Sequence, residues 1–125
     1  MPTITLTDQN FEQTIADNDI VFLDFWASWC GPCKTFAPIF EAASEKHPDI
    51  AFGKVNTEEQ MALAQRFQIR SIPTIMIYRE QIPLFVQSGS LPAAALEDLI
   101  SKVRELDMED VRKQIAEHEE KNETA

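Results

Sequence analysis

Apolar residues recur along the chain with two periods, one typical of strands and one typical of helices. Apolar runs rich in β-branched and aromatic residues predict buried strands at 20–26, 50–55 and 74–78, and a fourth run at 84–88 predicts a hairpin partner for the third. Apolar residues at helical spacing predict helices that begin near Thr7, Cys30, Thr57 and Leu91.

The elements follow one another in the order (β)αβαβαββα. A strand–helix–strand unit implies parallel pairing through a right-handed crossover, whereas the last two strands form an antiparallel hairpin. We therefore expect an α/β fold with a mixed central β-sheet flanked by helices on both faces. Residues 1–106 form this domain, and residues 107–125 form a C-terminal acidic extension.

The extension begins with Asp107, a good helix cap, and then places Met108, Val111 and Ile115 in a thin apolar stripe. From Glu117 onward it is mostly charged, so we expect the short extra helix to fray and the segment to be partly disordered. Two interpretations stay open: a helix that is docked on the domain or loose in solvent, and a contact with a partner or a second copy.

Composition limits the class of protein. The chain has 125 residues, is 44% hydrophobic and carries a formal charge of −10, which argues against nucleic acid or an anionic membrane as a partner. No apolar run approaches the roughly 20 residues that span a bilayer. The N-terminal residues lack the basic and apolar regions of a secretion signal, so we expect a cytoplasmic protein.

Both cysteines, Cys30 and Cys33, lie in one short stretch with two residues between them. A structural zinc site needs four ligands, and the two histidines, His47 and His118, lie far apart in the sequence. A purely structural disulfide over so short a loop stabilises by only about 2 kcal/mol, and it would not stay closed in the cytosol. Two inert buried cysteines remain an alternative, and the pattern favours a redox-active pair.

The predicted helix start gives the two sulfurs different roles. Cys30, at the helix edge, is the expected nucleophile, because unpaired N–H groups and the helix dipole favour its thiolate. Cys33, inside the first turn, is expected to be more buried and to resolve the mixed disulfide. Pro32 stiffens the loop between them.

Asp24 is a carboxylate in an apolar strand, six residues before the nucleophile. Desolvation should raise its pKa, which favours a general base for Cys33 acting through water. The alternative is a hydrogen-bonded polar core residue. Lys54, on the neighbouring predicted strand, is either a charge partner that modulates this pKa or a solvent-facing lysine.

Two tryptophans precede the dithiol in the sequence. Trp26 is expected to pack in the core, and Trp29 is expected to shield the dithiol and contact substrates.

The segment 24–34 closely resembles the active-site motif of the thioredoxin family, and its central Gly31-Pro32 is the choice of that family rather than of oxidases or isomerases. The resemblance continues at Pro38, Lys54, residues 70–74 and Gly89, and it covers about residues 3–106. It implies the thioredoxin fold and a thiol–disulfide oxidoreductase.

By the same resemblance, Ile72-Pro73 is a cis peptide that faces the dithiol, and the backbone of Ile72 pairs with bound substrate. The implied substrate-binding residues are Trp29, Gly31, Pro32, Ile72, Pro73 and Gly89. The resemblance implies no bound cofactor and no metal. It also implies electrons from NADPH through thioredoxin reductase, disulfide-containing clients and a monomer.

Two positions depart from the family pattern. The turn at 79–83 has no glycine, which leaves its geometry open, and Ser71 stands where the family commonly has glycine. The sequence therefore predicts a protein-disulfide reductase in which Cys30 attacks and Cys33 resolves. The alternatives are a partner-specific dithiol oxidant or isomerase, and a binding module that acts irrespective of redox state.

Overall fold

The computed structural model describes the backbone of residues 2–124 and the side chains of residues 2–121. This part of the chain forms five strands and five helices. They are β1 (Thr3–Thr5), α1 (Phe11–Asp17), β2 (Ile20–Trp26), α2 (Gly31–Lys46), β3 (Ala51–Asn56), α3 (Met61–Arg66), β4 (Thr74–Arg79), β5 (Ile82–Ser88), α4 (Ala93–Glu105) and α5 (Met108–Thr124).

The strands form one mixed sheet in the order β1-β3-β2-β4-β5. Strands β1, β3 and β2 are parallel, whereas β4 and β5 are antiparallel to their neighbours. The predicted mixed sheet is therefore confirmed. Strand β2 lies at its centre and is buried from Ile20 to Phe25, as the near-continuous apolar run predicts.

Helices cover both faces of the sheet, as predicted. Helices α2 and α4 pack on one face against residues that include Phe22 and Phe52, and α1 and α3 pack on the other face against residues that include Leu23 and Phe25. Because side chains alternate along a strand, Asp24 belongs to the face covered by α2.

Two predicted helix starts are wrong by three residues, because the N-cap positions are Asn10 and Gln60 instead of Thr7 and Thr57. Helix α1 begins at Phe11 and follows a turn in which the Thr7 hydroxyl accepts the N–H of Gln9 (3.2 Å) and the N–H of Thr7 donates to Asn10 Oδ1 (2.7 Å). Helix α3 begins at Met61 instead of Thr57, because the Thr57 hydroxyl donates to the last carbonyl of β2 (3.1 Å). In both cases, the expected capping residue belongs to a turn before the helix.

Helix α5 is longer than the sequence predicted. The Asp107 carboxylate accepts two backbone N–H groups of its first turn (3.1 and 3.2 Å), and Met108 is buried. Arg112 forms an ion pair with Glu80. The helix continues to Thr124, through the charged stretch in which we expected fraying. Among the helices of residues 2–124, none combines the length and apolar character that a bilayer-spanning segment needs.

The glycine-free turn between β4 and β5 has two residues in the left-handed region. Arg79 pairs with Ile82, so the loop consists of Glu80 (φ 51°) and Gln81 (φ 66°). Two positive φ values in a two-residue hairpin loop define a type I′ turn, which usually contains glycine. The N–H of Glu80 donates to the Asp19 carbonyl (2.7 Å), which holds the turn against the end of α1 and the start of β2.

This turn generates a stability prediction. We expect Gln81→Gly to raise the free energy of unfolding by up to about 1 kcal/mol, because glycine adopts positive φ without the steric penalty of a Cβ atom. Urea denaturation of the oxidised protein measures the change. The same substitution in helix α3, Gln65→Gly, is the control and should destabilise by about 1 kcal/mol. A loss of stability in Gln81→Gly would contradict the strain assigned to this turn.

Candidate active site

The two cysteines are joined in a disulfide at the start of α2, with their Cα atoms 5.2 Å apart. Cys30 is the N-cap residue, and its Sγ accepts the N–H of Cys33 at 3.2 Å. Pro32 lies in the first turn, where its missing N–H would have no partner in the helix. The sulfur of Cys30 therefore lies at the positive end of the helix dipole, as the sequence predicted.

The expected difference in burial between the two sulfurs is not seen in this disulfide form. Cys30 is 4% exposed and Cys33 is 3% exposed. Their surroundings differ instead. Cys30 Sγ lies 3.6 Å from the carbonyl oxygen of Ile72 at the surface loop, whereas Cys33 lines a cavity with Asp24. The outer sulfur lies beside a surface loop, and the inner sulfur lines the cavity that also contains a carboxyl group.

Several candidate substrate-binding residues lie beside the disulfide. The Ile72-Pro73 bond is cis, as the resemblance implied. Gly89 has a φ of 98°, and its N–H donates to the Pro73 carbonyl (2.8 Å), so this glycine fastens the cis-proline loop to the end of β5. Trp29 is 68% exposed next to the disulfide, and Gly31 is exposed at the first position of α2. This arrangement leaves an open surface around the outer sulfur.

Asp24 is 1% exposed in the central strand β2. Neither of its carboxyl oxygens has a hydrogen-bond partner within residues 2–121, which argues against the alternative of a hydrogen-bonded core residue. Burial raises the pKa of this carboxyl from its usual 3.8 to about 7, and the positive charge of Lys54 acts in the opposite direction. Asp24 shares a cavity of about 220 Å³ with Cys33.

Lys54 pairs in register with Asp24 across β2 and β3, and its side chain is only 19% exposed. Its ammonium lies 5.1 Å from the ring centre of Trp26 and 3.7 Å from the carboxylate of Glu41. The lysine therefore lies at the cavity rather than facing solvent. Trp26 is half-buried and packs against Lys54 instead of lying wholly in the core.

Sequence reasoning missed Glu41. This residue lies eight positions after Cys33 and four after Ala37, which also lines the cavity. Positions separated by four and eight residues lie on one helix face, so helical spacing from Cys33 could have indicated it. Only the packing of α2 on β3 shows that Glu41 meets Lys54.

Ser71, the other departure from the family pattern, contacts β5. Its hydroxyl donates to Ser88 Oγ at 2.9 Å, and its carbonyl accepts the Thr74 hydroxyl at 2.6 Å. These bonds hold the loop before the cis-proline to the neighbouring strand. The sequence showed the substitution but not this contact.

The fold and the site together define a thiol–disulfide oxidoreductase. Thiol–disulfide exchange needs a dithiol whose attacking sulfur is favoured as a thiolate, and the helix start at Cys30 provides that environment. Within the described side chains, no three His, Cys, Asp or Glu residues lie close enough together to hold a metal ion.

Comparisons with known proteins identify the family. A sequence-family model described as Thioredoxin matches residues 2–102. The "Putative thioredoxin 2" of Streptomyces coelicolor is 57% identical over 117 residues, which cover 94% of this chain and 87% of that protein. The thioredoxin of Alicyclobacillus acidocaldarius is 39% identical over 102 residues, which cover 81% of this chain and 97% of that protein. The chain belongs to the thioredoxin family.

A solved structure gives the same answer for the fold. A single-site mutant of a thioredoxin from Halobacterium salinarum superposes with a TM-score of 0.78 at 31% identity, covering 84% of this chain and 93% of that one. The thioredoxin fold and the thiol–disulfide oxidoreductase class are therefore confirmed. Proteins of this family need no bound cofactor and act on disulfide-containing substrates.

The buried carboxyl generates a prediction about stability and pH. Because the folded-state pKa of Asp24 is raised to about 7, the folded protein binds more protons than the unfolded chain between about pH 4 and pH 7. The stability that the protonated Asp24 carboxyl contributes is therefore fully present below about pH 4 and is lost as the pH rises through 7. Asp24→Asn should remove this loss and stabilise the oxidised protein by on the order of 3–4 kcal/mol at pH 8, with the gain shrinking toward pH 4.

Urea denaturation from pH 4 to pH 9 measures this effect. The oxidised protein is used because its disulfide-bonded cysteines do not titrate. Asp8→Asn, the same change at an exposed loop position, is the matched control and should leave the pH dependence unchanged. Equal pH dependence in Asp24→Asn and the wild type would show that Asp24 does not titrate in this range.

Proposed function

We propose that this protein is a general protein-disulfide reductase in which Cys30 is the nucleophile and Cys33 the resolving residue. The observation that carries the proposal is the position of Cys30 at the N-cap of α2, where its sulfur accepts the N–H of Cys33. A hydrogen-bonded sulfur at a helix N-terminus is favoured as a thiolate, which is the species that attacks a disulfide.

The reaction consists of two exchanges. The Cys30 thiolate attacks one sulfur of the client disulfide, which forms a mixed disulfide and releases the other client sulfur as a thiolate. The Cys33 thiolate then attacks Cys30 Sγ, which closes the Cys30–Cys33 disulfide and releases the second client sulfur. The client gains two electrons and the protein loses them.

Asp24 is the proposed base for the second exchange. Cys33 must lose its proton before it attacks, and Asp24 lines the same cavity. A base is most effective when its pKa lies near the working pH, and burial raises the pKa of Asp24 to about 7. The charge of Lys54 keeps this pKa from rising further, which is the role that we assign to the lysine.

The client is proposed to bind across the open surface around Cys30. The cis bond at Pro73 presents the backbone of Ile72 beside the outer sulfur, where an extended client segment pairs with it. Trp29 and the Gly31-Pro32 edge of α2 supply contact area on one side, and Gly89 borders the other.

The proposal includes a supply of electrons. Thioredoxin reductase, using NADPH, returns the disulfide to the dithiol, and the protein acts as a cytoplasmic monomer. Membership in the thioredoxin family supports the partner.

A binding module that is independent of redox state is the competing function, and residues 107–125 are the feature that favours it. The match to the Streptomyces relative is too long to be confined to residues 1–106, so it includes part of that segment.

Substitution of each cysteine tests the assignment. In an insulin-reduction assay with NADPH and thioredoxin reductase, Cys30→Ser should lose all turnover, because no nucleophile remains. Cys33→Ser should also lose turnover but accumulate a mixed disulfide with insulin, visible on a non-reducing gel. Turnover in Cys30→Ser would overturn the proposal. Retention of a partner complex by Cys30→Ser, together with no insulin reduction by the wild type, would favour the binding module.

The role of Asp24 has its own kinetic prediction. Asp24→Asn should slow resolution of the mixed disulfide by roughly 10-fold or more at pH 7, since base catalysis contributes about 10²–10⁴-fold where it operates fully. The initial attack by Cys30 should change less. Stopped-flow measurement of mixed-disulfide formation and decay separates the two steps. An unchanged lifetime of the mixed disulfide would reject Asp24 as the base.

A further inference from the structure

The Lys54 ammonium lies between two carboxyl groups of different kinds. Asp24 is beneath it in the cavity that contains Cys33, and Glu41 is beside it on the exposed side of α2. The ammonium lies 3.7 Å from the Glu41 carboxylate. It does not bond to Asp24, whose two oxygens have no hydrogen-bond partner within residues 2–121. Lysine carries its charge on a flexible four-carbon stem, so the position of the head group depends on the charges around it.

The same lysine also separates two cavities. The inner cavity, of about 220 Å³, contains Asp24 and Cys33, and the outer one, of about 300 Å³, contains Glu41. Lys54 and Trp26 line both. The cation therefore lies at the boundary between the buried carboxyl and the surface, and its position decides how much positive charge Asp24 experiences.

We propose that Glu41 is a positioning residue that holds the Lys54 ammonium at the outer side of this boundary and away from the Asp24 carboxyl. The consequence for the reaction rests on the proposed role of Asp24 as the base for Cys33. The effect of Glu41 on the position of Lys54 does not depend on that role.

The charged groups around Asp24 come from a few elements. Strand β3 contributes Lys54, and strand β4 places the uncharged Ile75 opposite Asp24. Helix α2 contributes Lys34 and Glu41, together with Cys33, which does not titrate in the disulfide.

The outer cavity adds a second anion, Glu59, which accepts a hydrogen bond from Asn56. Within the described side chains, Glu41 is the one of these two anions that forms an ion pair with Lys54. Glu41 is therefore the residue whose removal should release the lysine.

The direction of the effect follows from electrostatics. Loss of the Glu41 charge leaves the ammonium without its outer partner, so it moves toward Asp24 and stabilises the ionised carboxyl. Removal of a nearby negative charge acts in the same direction. Glu41 is half-exposed, so solvent screens part of the effect, and we expect a modest change.

The test uses Glu41→Gln in the oxidised protein, in which the cysteines do not titrate. Carbon-13 NMR of the Asp24 carboxyl carbon, followed from pH 4 to pH 10, gives the midpoint of its titration. We expect the midpoint to fall by roughly half a pH unit. Glu45→Gln is the matched control, since it removes the same charge from an exposed glutamate one turn further along α2. An equal change in both variants, or none in Glu41→Gln, would overturn the proposal.

The same substitution in a Lys54→Met variant shows whether Glu41 acts on Asp24 through the lysine. In Lys54→Met, the Glu41→Gln substitution should shift the Asp24 midpoint by less than half as much as in the wild type. An undiminished shift would overturn the positioning role, because it would show that the Glu41 charge acts on Asp24 directly and not through Lys54.

The pH dependence of the rate of mixed-disulfide resolution tests the role of Glu41 and the role of Asp24 separately. If Asp24 is the base, the pH–rate profile of mixed-disulfide resolution in Glu41→Gln should move with the NMR midpoint. A shifted midpoint with an unmoved rate profile would reject Asp24 as the base while supporting Glu41 as the residue that positions Lys54.

Discussion

The organisation of this protein depends on one unfavourable burial, that of an unpaired carboxyl in the middle of the central strand. Placing Asp24 in an apolar interior without a hydrogen-bond partner among residues 2–121 disfavours its charged form and raises its pKa to about 7. The two apolar layers on either side of β2 offset that cost. The burial lowers the stability of the fold at neutral pH, and it produces a carboxyl group that can gain or lose a proton near pH 7.

Helix α2 serves this site in two ways. Its N-terminus supplies unpaired N–H groups and a positive dipole end at Cys30, and its inner face covers the cavity in which Cys33 meets Asp24. One helix therefore fixes the environment of both sulfurs: it places the outer sulfur at its N-terminus and the inner sulfur at the cavity that contains the Asp24 carboxyl. Glu41, two turns further on, extends the influence of the same helix to Lys54.

The parts that the sequence predicted well are those that depend on local pattern. The apolar run of β2, the helix start at Cys30 and the anomaly of Asp24 are visible in short windows. The wrong helix starts at Thr7 and Thr57 arose because turns formed with Asn10 and with β2, which local capping patterns do not show. The Lys54–Glu41 ion pair joins two separate elements, β3 and α2, so only the packed fold shows it.

The strand β4 separates the redox site from the C-terminal extension. Its first residue, Thr74, follows the cis-proline, and its last, Arg79, precedes the turn whose Glu80 pairs with Arg112 of α5. Six residues of extended chain span about 20 Å, so the anchor of α5 lies at the opposite end of the strand from the dithiol. The anchor of α5 and the surface around Cys30 are therefore separate parts of the molecule, joined by the length of β4.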